Sequence, residues 1–579
     1  MHYLISLLFC LIFSLAAVSQ EKRLPKHMTE EEKQSFGGFN QIFPFFGNTT
    51  PPTGSLRTMA EWEEIEAITI TWASDKDMLS EILAAAQLEC KVYVFCNDSN
   101  TVKSDLNYYG VIPNQNVKYI YAPFDALWIR DYGANSVYKN DVDSLILVDW
   151  VYNRPSRPND DSIPRSLSRY TGIELFETTT APNRLVNTGG NFIPDGFGTA
   201  FSSNLVLDEN TSLSTAQIDN IANNFMGINR YIHMSNLPYD HIHHVDMHMK
   251  LLDEETLLFG QFPTGVSDGP QIEANLLYIL NNYTSVFGTP YKIVRIPMPP
   301  SYSGNYAPNA YYRTYTNSVF ANKSFLVSTY YTLYDTTAFR ILKEHLPGYN
   351  LVSINAQGII SASGAVHCIT NAVGVREPLL ISHKPLKNTT NTVSDYQIDA
   401  RIQHKSSIQS ATLHYRTDSL QAFSSVAMSL SSSLNNIWTG YIPAQTSACT
   451  VDYYIEANAV SGKQQFRPIT APNGFWKFKV MPIVSAEDLY SYTTLEMGDV
   501  FPNPASAITC IPLKSNLDRE NVQLSLFDQQ MRLVKTIHHG KIPEGESFYF
   551  FNAAEYANGI YFIRLTAKEK TSIQKLFIR

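Results

Sequence analysis

Cysteine is scarce in this sequence, with six residues in a chain of 579. Cys10 lies inside an N-terminal apolar run, and the others stand at positions 90, 96, 368, 449 and 510. Five thiols are too few for a disulfide framework in so long a chain, and an odd number leaves at least one unpaired. Cys90 and Cys96 flank the strand-like stretch KVYVF, which in extended form holds them about 20 Å apart, beyond disulfide reach.

Basic charge and long apolar runs are also limited. The chain has 44 Lys and Arg against 53 Asp and Glu, a net charge of −9, which argues against a nucleic-acid partner. The one long apolar run, HYLISLLFCLIFSLAAVSQ, ends in small residues and predicts a signal peptide over residues 1–19. No other segment approaches the roughly 18–20 apolar residues that span a bilayer. We therefore expect a soluble, exported mature chain without a transmembrane segment.

The rest of the chain divides by pattern. Residues 20–55 form an N-terminal extension or pro-segment. Over residues 56–385, strand-like runs alternate with helical ones, which predicts an α/β domain. The first such unit is AITITW, the helical DKDMLSEILAAAQLE with Ser74 as its candidate N-cap, and CKVYVF. Periodicity alone does not predict how these units are arranged.

Two β-rich regions follow a polar linker over residues 386–398. Short alternating strands over 399–482, such as SATLHYRTD and TVDYYIEANAVSG, are typical of a small β-sandwich. The segment 495–579 is again all-β and includes VQLSLFD and GIYFIRLTA.

Polar residues in the α/β region are candidates for chemistry. In DALWIRDYG, Asp131 follows an arginine, a pair that is most often a local salt bridge. In DHIHHVDMHMK, His244 and Asp246 are two apart and share one face if the segment is a strand. With His248 they also suggest a metal site, although satisfied or solvent-facing histidines are the commoner outcome.

Cys368 stands in SASGAVHCITNAVG, directly after His367. On an extended backbone these neighbours point to opposite faces, so His367 is a poor base for the thiol and His244 fits better by type. An isolated cysteine is most often a small buried hydrophobe. Asn317, in YTNSVF, says little by itself.

Together these residues suit one reaction. A guanidinium is a permanent planar cation, and two carboxylates, Asp131 and Asp246, are able to bind it by charge-assisted hydrogen bonds. A cysteine thiolate then attacks its central carbon, and a histidine protonates the departing ammonia and activates water. This chemistry needs no metal and no organic cofactor.

The chain resembles the agmatine deiminase and bacterial peptidylarginine deiminase family of the guanidino-modifying superfamily. The resemblance rests on WIRDYG, NTGGNFIPDGFGT, HVD, YTN and VHCIT, in family order, within residues 56–385. It implies a five-bladed α/β propeller. By motif, Cys368 matches the nucleophile, His244 the general acid/base, and Asp131 and Asp246 the guanidinium-binding carboxylates, while Asn317 matches an asparagine that organises the site.

The resemblance also implies substrate-binding residues. Trp128 matches a residue that lines the substrate tunnel, and Gly190 belongs to a pocket-wall loop, where a purely structural tight turn is about as good an interpretation. In YNRPSRPNDD, Arg154 and Arg157 match paired arginines that bind the free carboxylate of a C-terminal arginine. Two departures from the family pattern are the extra residue Ser156 between them and His241 where a tyrosine is expected.

The β-rich regions resemble parts of the same secreted branch. Residues 399–482 look like its immunoglobulin-like domain, and 495–579, with FPNP near their start, resemble a type IX secretion C-terminal sorting domain. This implies the type IX machinery as a partner, export through the periplasm, and release or attachment at the cell surface.

The sequence therefore predicts a secreted hydrolase that converts peptidyl-arginine, preferably C-terminal, to citrulline and ammonia. Three alternatives stay open: a deiminase of small guanidines such as agmatine or free arginine, an amidinotransferase with an amine acceptor, and a non-catalytic arginine-binding surface module.

Overall fold

The computed structural model describes residues 23–35, 47–482 apart from 264, and 494–579 apart from 507, 517, 518, 544 and 569. The predicted signal peptide over 1–19 and residues 36–46 of the predicted extension lie outside these described residues. No helix within the described ranges is long and apolar enough to cross a membrane.

Five separate sheets make up most of the region between residues 56 and 374. Each contains an antiparallel pair followed by a parallel pair whose crossover carries a helix. The strands, sheet by sheet, are Leu56–Thr58, Asn135–Lys139, Ser144–Asp149 and Leu175–Glu177; Asn371–Gly374, Ile65–Thr71, Lys91–Cys96 and Val117–Tyr121; Ile193–Pro194, Thr199–Ser203 and Arg230–Met234; Met249–Leu251, Thr256–Gln261 and Lys292–Pro297; and Val319–Ala321, Ser324–Thr329 and Asn350–Asn355. A further two-stranded pair joins Val151–Tyr152 to Val186–Asn187.

The helix predicted within DKDMLSEILAAAQLE is present as Lys76–Ala86. Thr215–Met226 begins after Ser214, whose side chain forms a reciprocal capping box with Gln217, and it ends at Gly227 in the left-handed conformation. The expected N-cap at Ser74 is wrong, because the helix begins at Lys76 and Asp75 is its N-cap. The α-helices of the α/β region are Lys76–Ala86, Ser99–Tyr108, Ile129–Tyr132, Ile163–Thr171, Leu205–Asp208, Thr215–Met226, Gly269–Asn282 and Thr332–His345.

One strand ties the end of this region to its beginning. Asn371–Gly374 pairs antiparallel with Ile65–Thr71, the first long strand of the region. The largest hydrophobic core accordingly includes residues from Met59 to Val373. The pairing fixes the chain just before residue 371, where Cys368 lies, against the interior of the molecule.

The following region is an eight-stranded antiparallel assembly that includes Leu380–His383. Its inward side chains form a core of their own, as the alternating burial along Tyr396–Gln403 shows. The other strands are Ile408–Arg416, Ser424–Ser432, Ile437–Ile442, Cys449–Ala459, Gln464–Arg467 and Trp476–Val480. The predicted domain boundaries and the immunoglobulin-like character of this region stay predictions.

The tail contains two antiparallel sheets that share one core, with Ile511 from the first and Leu524 and Ile563 from the second. The first sheet contains Leu495–Met497, Ile508–Ser515 and Gly545–Asn552. The second contains Leu533–Ile542, Arg519–Asp528, Gly559–Ala567 and Lys570–Ile578. The mixed α/β fold with sheet-rich C-terminal regions therefore agrees with the sequence-based prediction.

Candidate functional site

Six of the predicted site residues occupy equivalent places in the five sheets. Each lies in the short turn that precedes the first strand of an antiparallel pair: Asp131 before Asn135–Lys139, Gly190 before Ile193–Pro194, His244 and Asp246 before Met249–Leu251, Asn317 before Val319–Ala321, and Cys368 before Asn371–Gly374. Four of these turns contain a helical turn, which directs side chains away from the sheet ladder. One site is thus assembled from five positions far apart in sequence.

The thiol of Cys368 is fully buried and surrounded by polar groups. The Nδ2 of Asn317 donates to its Sγ at 3.2 Å, and the Oδ1 of Asn317 accepts from the backbone N–H of His367 at 3.1 Å. Burial raises the pKa of Cys368 to about 12, even though the neighbouring Lys26 lowers it. Cys368 is therefore a protonated thiol at neutral pH in this state.

Lys26, from the N-terminal extension, lies inside the pocket and is fully buried. Its Nζ is 2.9 Å from the Sγ of Cys368, 3.5 Å from the Oδ1 of Asp131 and 4.0 Å from the Oδ2 of Asp246. A buried charge is costly unless it is paired. The two carboxylates therefore form a cation site directly in front of the thiol.

The two carboxylates differ in their electrostatics. Burial raises the pKa of Asp131 and outweighs the opposing effect of Lys26. Burial also acts to raise the pKa of Asp246, but Lys26 and a hydrogen bond from His367 outweigh it and lower that pKa below its usual range. Asp246 is thus a permanent anion, and it is the stronger partner for a bound cation.

His244 is fully buried beside Asp131, with its Nδ1 3.6 Å from the Oδ1 of that carboxylate. Burial, followed by the positive charge of Lys26, lowers the pKa of His244 well below its usual range. Neither ring nitrogen has a hydrogen-bond partner among the described residues. His244 is therefore a neutral imidazole with a lone pair able to accept a proton.

His367 does not contact the thiol through its ring. Its Nδ1 lies 2.8 Å from the Oδ2 of Asp246, and its Nε2 lies 2.5 Å from the Oε1 of Glu61. Glu61 also pairs with Lys250 and, at 3.4 Å, with Arg130. This buried chain of charges holds Asp246 in place.

The paired arginines contact the N-terminal extension. Arg154 donates through Nε to the backbone oxygen of Lys26 at 2.9 Å. Arg157 donates to the carboxylate of Glu32 through Nε at 2.8 Å and Nη2 at 3.0 Å. Ser156, the extra residue of the predicted pattern, donates to the same carboxylate at 2.7 Å. Both arginines are buried, so the structure places them at the pocket and not on the outer surface.

Trp128 and Gly190 also border the pocket. Trp128 is buried and donates through Nε1 to the backbone oxygen of Leu24 at 2.9 Å. The backbone N–H of Gly190 donates to the Oδ1 of Asp131 at 3.3 Å. A Cβ at residue 190 would lie 2.4 Å from the Nδ1 of His244. Only a glycine therefore fits at this position without displacing His244.

Two local expectations are wrong. The segment around His244 is not a strand, because His243 has a φ of 55° and Val245–Met247 form a 3-10 turn. His367–Ile369 is likewise a 3-10 turn where an extended backbone was expected. No group of three or more His, Cys, Asp or Glu is arranged to hold a metal ion in the part of the chain that the structure describes.

Sequence reasoning missed Lys26, Glu32 and Glu61. Lys26 and Glu32 stand in a polar stretch, LPKHMTEEEKQS, where no spacing distinguishes them from neighbouring charged residues. Glu61 stands in AEWEEIE, among other glutamates that are partly exposed. Only the tertiary structure shows that these residues reach the pocket.

Residues 57–373 match the family model of the Porphyromonas-type peptidyl-arginine deiminase, which is more than half of the chain. The chain belongs to this family. Its members are hydrolases that act on guanidino C–N bonds, and the resemblance predicted from five motifs is therefore confirmed.

Relatives and solved structures cover the same region. A protein of Legionella pneumophila, named "Putative agmatine deiminase", is 25% identical over 350 residues, which cover 56% of this chain and 96% of the relative. The agmatine deiminase structure of Enterococcus faecalis has 16% identity and a TM-score of 0.49, covering 56% of this chain and all of that one. The agmatine deiminase structure of C. jejuni has 21% identity and a TM-score of 0.46, covering 55% and 96%.

The tail matches a second family model. Residues 499–579 match the secretion system C-terminal sorting domain, which confirms the predicted type IX sorting domain. This domain indicates that the deiminase is exported and then secreted or attached at the cell surface. The type IX machinery is accordingly a partner of the tail.

Proposed function

We propose that this deiminase hydrolyses the guanidinium of peptidyl-arginine, preferably at a peptide C-terminus, to citrulline and ammonia through a covalent adduct of Cys368. One observation carries the proposal: a buried cation lies between Asp131 and Asp246, with its nitrogen 2.9 Å from the Sγ of Cys368. A guanidinium is a cation of the same charge with more donors for these carboxylates.

The first chemical step forms a carbon–sulfur bond. The Cys368 sulfur attacks the central guanidinium carbon as the thiol proton passes to the neutral His244, giving a tetrahedral adduct. Asp131 and Asp246 hold the substrate nitrogens, and Asn317, 3.2 Å from the sulfur, orients the thiol. His244 passes a proton to the leaving nitrogen, and the carbon–nitrogen bond breaks to release ammonia.

The second step consumes water. His244 removes a proton from the water, whose oxygen attacks the same carbon and forms a second tetrahedral adduct. The carbon–sulfur bond then breaks, the thiol recovers its proton, and citrulline leaves. A neutral His244 in the resting site supports its role as the base, because only the neutral imidazole accepts a proton.

Specificity for a C-terminal arginine is proposed to rest on Arg154 and Arg157. Arg154 contacts the backbone oxygen of the residue whose side chain fills the pocket, which is where a terminal arginine would place its carboxylate. Arg157 already holds a carboxylate through two N–H groups, which supports its ability to bind one.

The second candidate is a deiminase of small guanidines. It is favoured by the name of the Legionella relative, which refers to agmatine. Agmatine has no carboxylate, so two buried arginines at the pocket would have no substrate group to bind. A non-catalytic arginine-binding module is the remaining alternative from the sequence, and its pocket would need no thiol in contact with the cation.

We also propose the architecture that the family implies. The five sheets, each contributing one turn to a single pocket, support a five-bladed α/β propeller with the site on its axis. The signal peptide over 1–19 and the immunoglobulin-like character of 399–482 are proposed alongside it.

The test compares four substrates: a peptide ending in arginine, the same peptide amidated, free arginine and agmatine. The chain and its Lys26→Ala variant are each assayed for citrulline-type product and ammonia. Turnover confined to the free-carboxylate peptide supports the proposal, and equal turnover of the amidated peptide rules out the carboxylate contact. Preference for agmatine establishes the second candidate, and no product from any substrate with either chain establishes the binding module.

A further inference from the structure

Residues 24–26 of the N-terminal extension occupy the proposed substrate site. Lys26 fills the cation position, and three neighbouring backbone oxygens are held by the side chains that line the pocket: that of Leu24 by Trp128, that of Pro25 by Arg157, and that of Lys26 by Arg154. The backbone N–H of Lys26 donates to the oxygen of Ala362 at 2.9 Å. A peptide substrate would need these same contacts, so it and the extension exclude each other.

The lysine is matched to arginine in length. The Nζ of lysine and the central carbon of an arginine guanidinium are separated from Cα by the same number of bonds. The Nζ of Lys26 therefore stands where that reacting carbon would be, 2.9 Å from the Sγ of Cys368. Reacting atoms in productive complexes are about 3–3.5 Å apart. An ammonium has no carbon–nitrogen double bond to attack, so this residue binds without reacting.

A carboxylate of the extension completes the match. Glu32 and Thr29 form a reciprocal cap, in which Thr29 N–H donates to the Glu32 carboxylate at 2.7 Å and Glu32 N–H donates to the Thr29 hydroxyl at 3.1 Å. This fixes the Glu32 carboxylate on Arg157 and Ser156. Burial acts to raise the pKa of Glu32, but those hydrogen bonds outweigh it and lower the pKa to about 2.

We propose that residues 24–32 are an intrachain inhibitor that imitates an arginine peptide, with Lys26 as the unreactive arginine and Glu32 as the surrogate carboxylate. This inference rests on the proposed function. Because the segment is part of the same chain, its binding to the site is intramolecular, which raises its effective concentration there. Substrate gains access only when the segment is displaced or removed.

The test measures access to Cys368 separately from turnover. The full chain, Lys26→Ala, Glu32→Gln and Lys33→Ala are treated with a haloacetamidine, a small cationic alkylating agent, and modification of Cys368 is followed by mass spectrometry. Lys33 is the matched control, because it directly follows the segment, is exposed and pairs with Glu30. Thermal unfolding checks that each variant is folded.

We expect Lys26→Ala to speed alkylation about tenfold or more, since removing one partner of a buried ion pair strongly weakens the docked state. Glu32→Gln should give a smaller increase, and Lys33→Ala should leave the rate unchanged. Loss of Lys26 by itself raises the pKa of the thiol and slows alkylation, so a faster rate reports opening of the site. Unchanged rates in both Lys26→Ala and Glu32→Gln would overturn the inference.

A fourth variant, Lys26→Arg, tests the alignment itself. It presents a guanidinium to Cys368 while Glu32 supplies the carboxylate on Arg157, so citrulline should form at residue 26 at a rate that does not depend on protein concentration. Citrulline absent at residue 26, in a variant that still converts added peptide, would overturn the alignment. Faster alkylation of Lys26→Ala without any product would instead overturn the proposed function and retain the inhibitor.

Discussion

The Nδ1 of His367 lies 2.8 Å from the Oδ2 of Asp246. The ring of the histidine next to Cys368 in sequence thus contacts a carboxylate of the pocket and not the thiol. On its other side the same ring contacts Glu61 at 2.5 Å, so it joins the buried Asp246 to a partly buried acid. The imidazole keeps Asp246 ionised and aimed at the cation position.

We predict that replacing His367 destabilises the fold. His367→Phe should lower the free energy of unfolding by about 3–5 kcal/mol, because it leaves the buried Asp246 and Glu61 without their shared partner. Urea unfolding of variant and parent measures the difference. His345→Phe, at an exposed helix end, is the comparison that should lose much less. Equal losses in the two variants would contradict a special role for His367.

Cys368 should be indispensable for turnover. In Cys368→Ala, kcat/KM for a peptide ending in arginine should fall at least about a thousandfold, as is usual when a nucleophile is removed. Because the thiol is small and buried, the variant should keep its fold, which circular dichroism checks. The measurement is best made in the Lys26→Ala background, where the site is open. Substantial residual activity would mean that another group is the nucleophile.

The glycine at position 190 should be required for activity. Gly190→Ala places a Cβ 2.4 Å from the His244 Nδ1 and 3.0 Å from the Asp131 Oδ1, so both groups must shift. Displacements of about 1 Å at a catalytic group commonly cost about a hundredfold in rate. Gly358→Ala is the matched control, because its Cβ meets no atom within 4 Å. Equal kcat/KM values in the two alanine variants would contradict a direct contact of Gly190 with His244 and Asp131.

Arg154 and Arg157 should act on binding more than on chemistry. In the Lys26→Ala chain, Arg154→Gln and Arg157→Gln should each raise KM for a peptide ending in arginine by about tenfold to a hundredfold, the usual weight of a charge-assisted contact. The kcat should change little. The amidated peptide serves as the internal control, since its KM should respond less. An unchanged KM in both variants would remove these arginines from the substrate site.

The stability of the sheet that follows the deiminase region should depend on pH through His383. Its ring nitrogens contact the Asp399 oxygen and the Tyr453 hydroxyl, and burial lowers its pKa from 6.5 to about 4. Between these values the unfolded chain takes up a proton that the folded chain does not, so stability falls as the pH falls. Relative to His383→Gln, the free energy of unfolding of the parent should fall by about 1.4 kcal/mol for each unit by which the pH is lowered in this window. Parallel pH curves from urea unfolding would contradict this.

The sequence predicted the chemistry of the site better than its local shape. Asp131, His244, Asp246, Asn317 and Cys368 were found because each stands in a short motif of distinctive composition. The turn that carries His244 and Asp246 was not predicted, because the alternation in HIHHVDMHM favours a strand. The positive φ of His243 breaks that strand in the structure. Likewise, the alternation of strands and helices over 56–385 follows from hydrophobic periodicity, whereas the return of Asn371–Gly374 to Ile65–Thr71 depends on long-range pairing.

The occupant of the pocket was beyond the reach of sequence patterns. Lys26 and Glu32 have many charged neighbours of the same type, and nothing local marks either of them as buried. Their roles depend on a fit to groups more than a hundred residues away, such as Arg157 and Cys368. Arg154 and Arg157, by contrast, followed from the family resemblance, although their contacts with a segment of the same chain did not.

The burial of Cys368 under Lys26 has a chemical consequence for a protein that leaves the cell. Peroxides and disulfides react with the thiolate and with accessible sulfur, and the Cys368 sulfur is neither ionised nor exposed in this state. The extension thereby protects the nucleophile from oxidation during passage through an oxidising compartment. A chain that lost these few residues early would carry its nucleophile through that compartment uncovered.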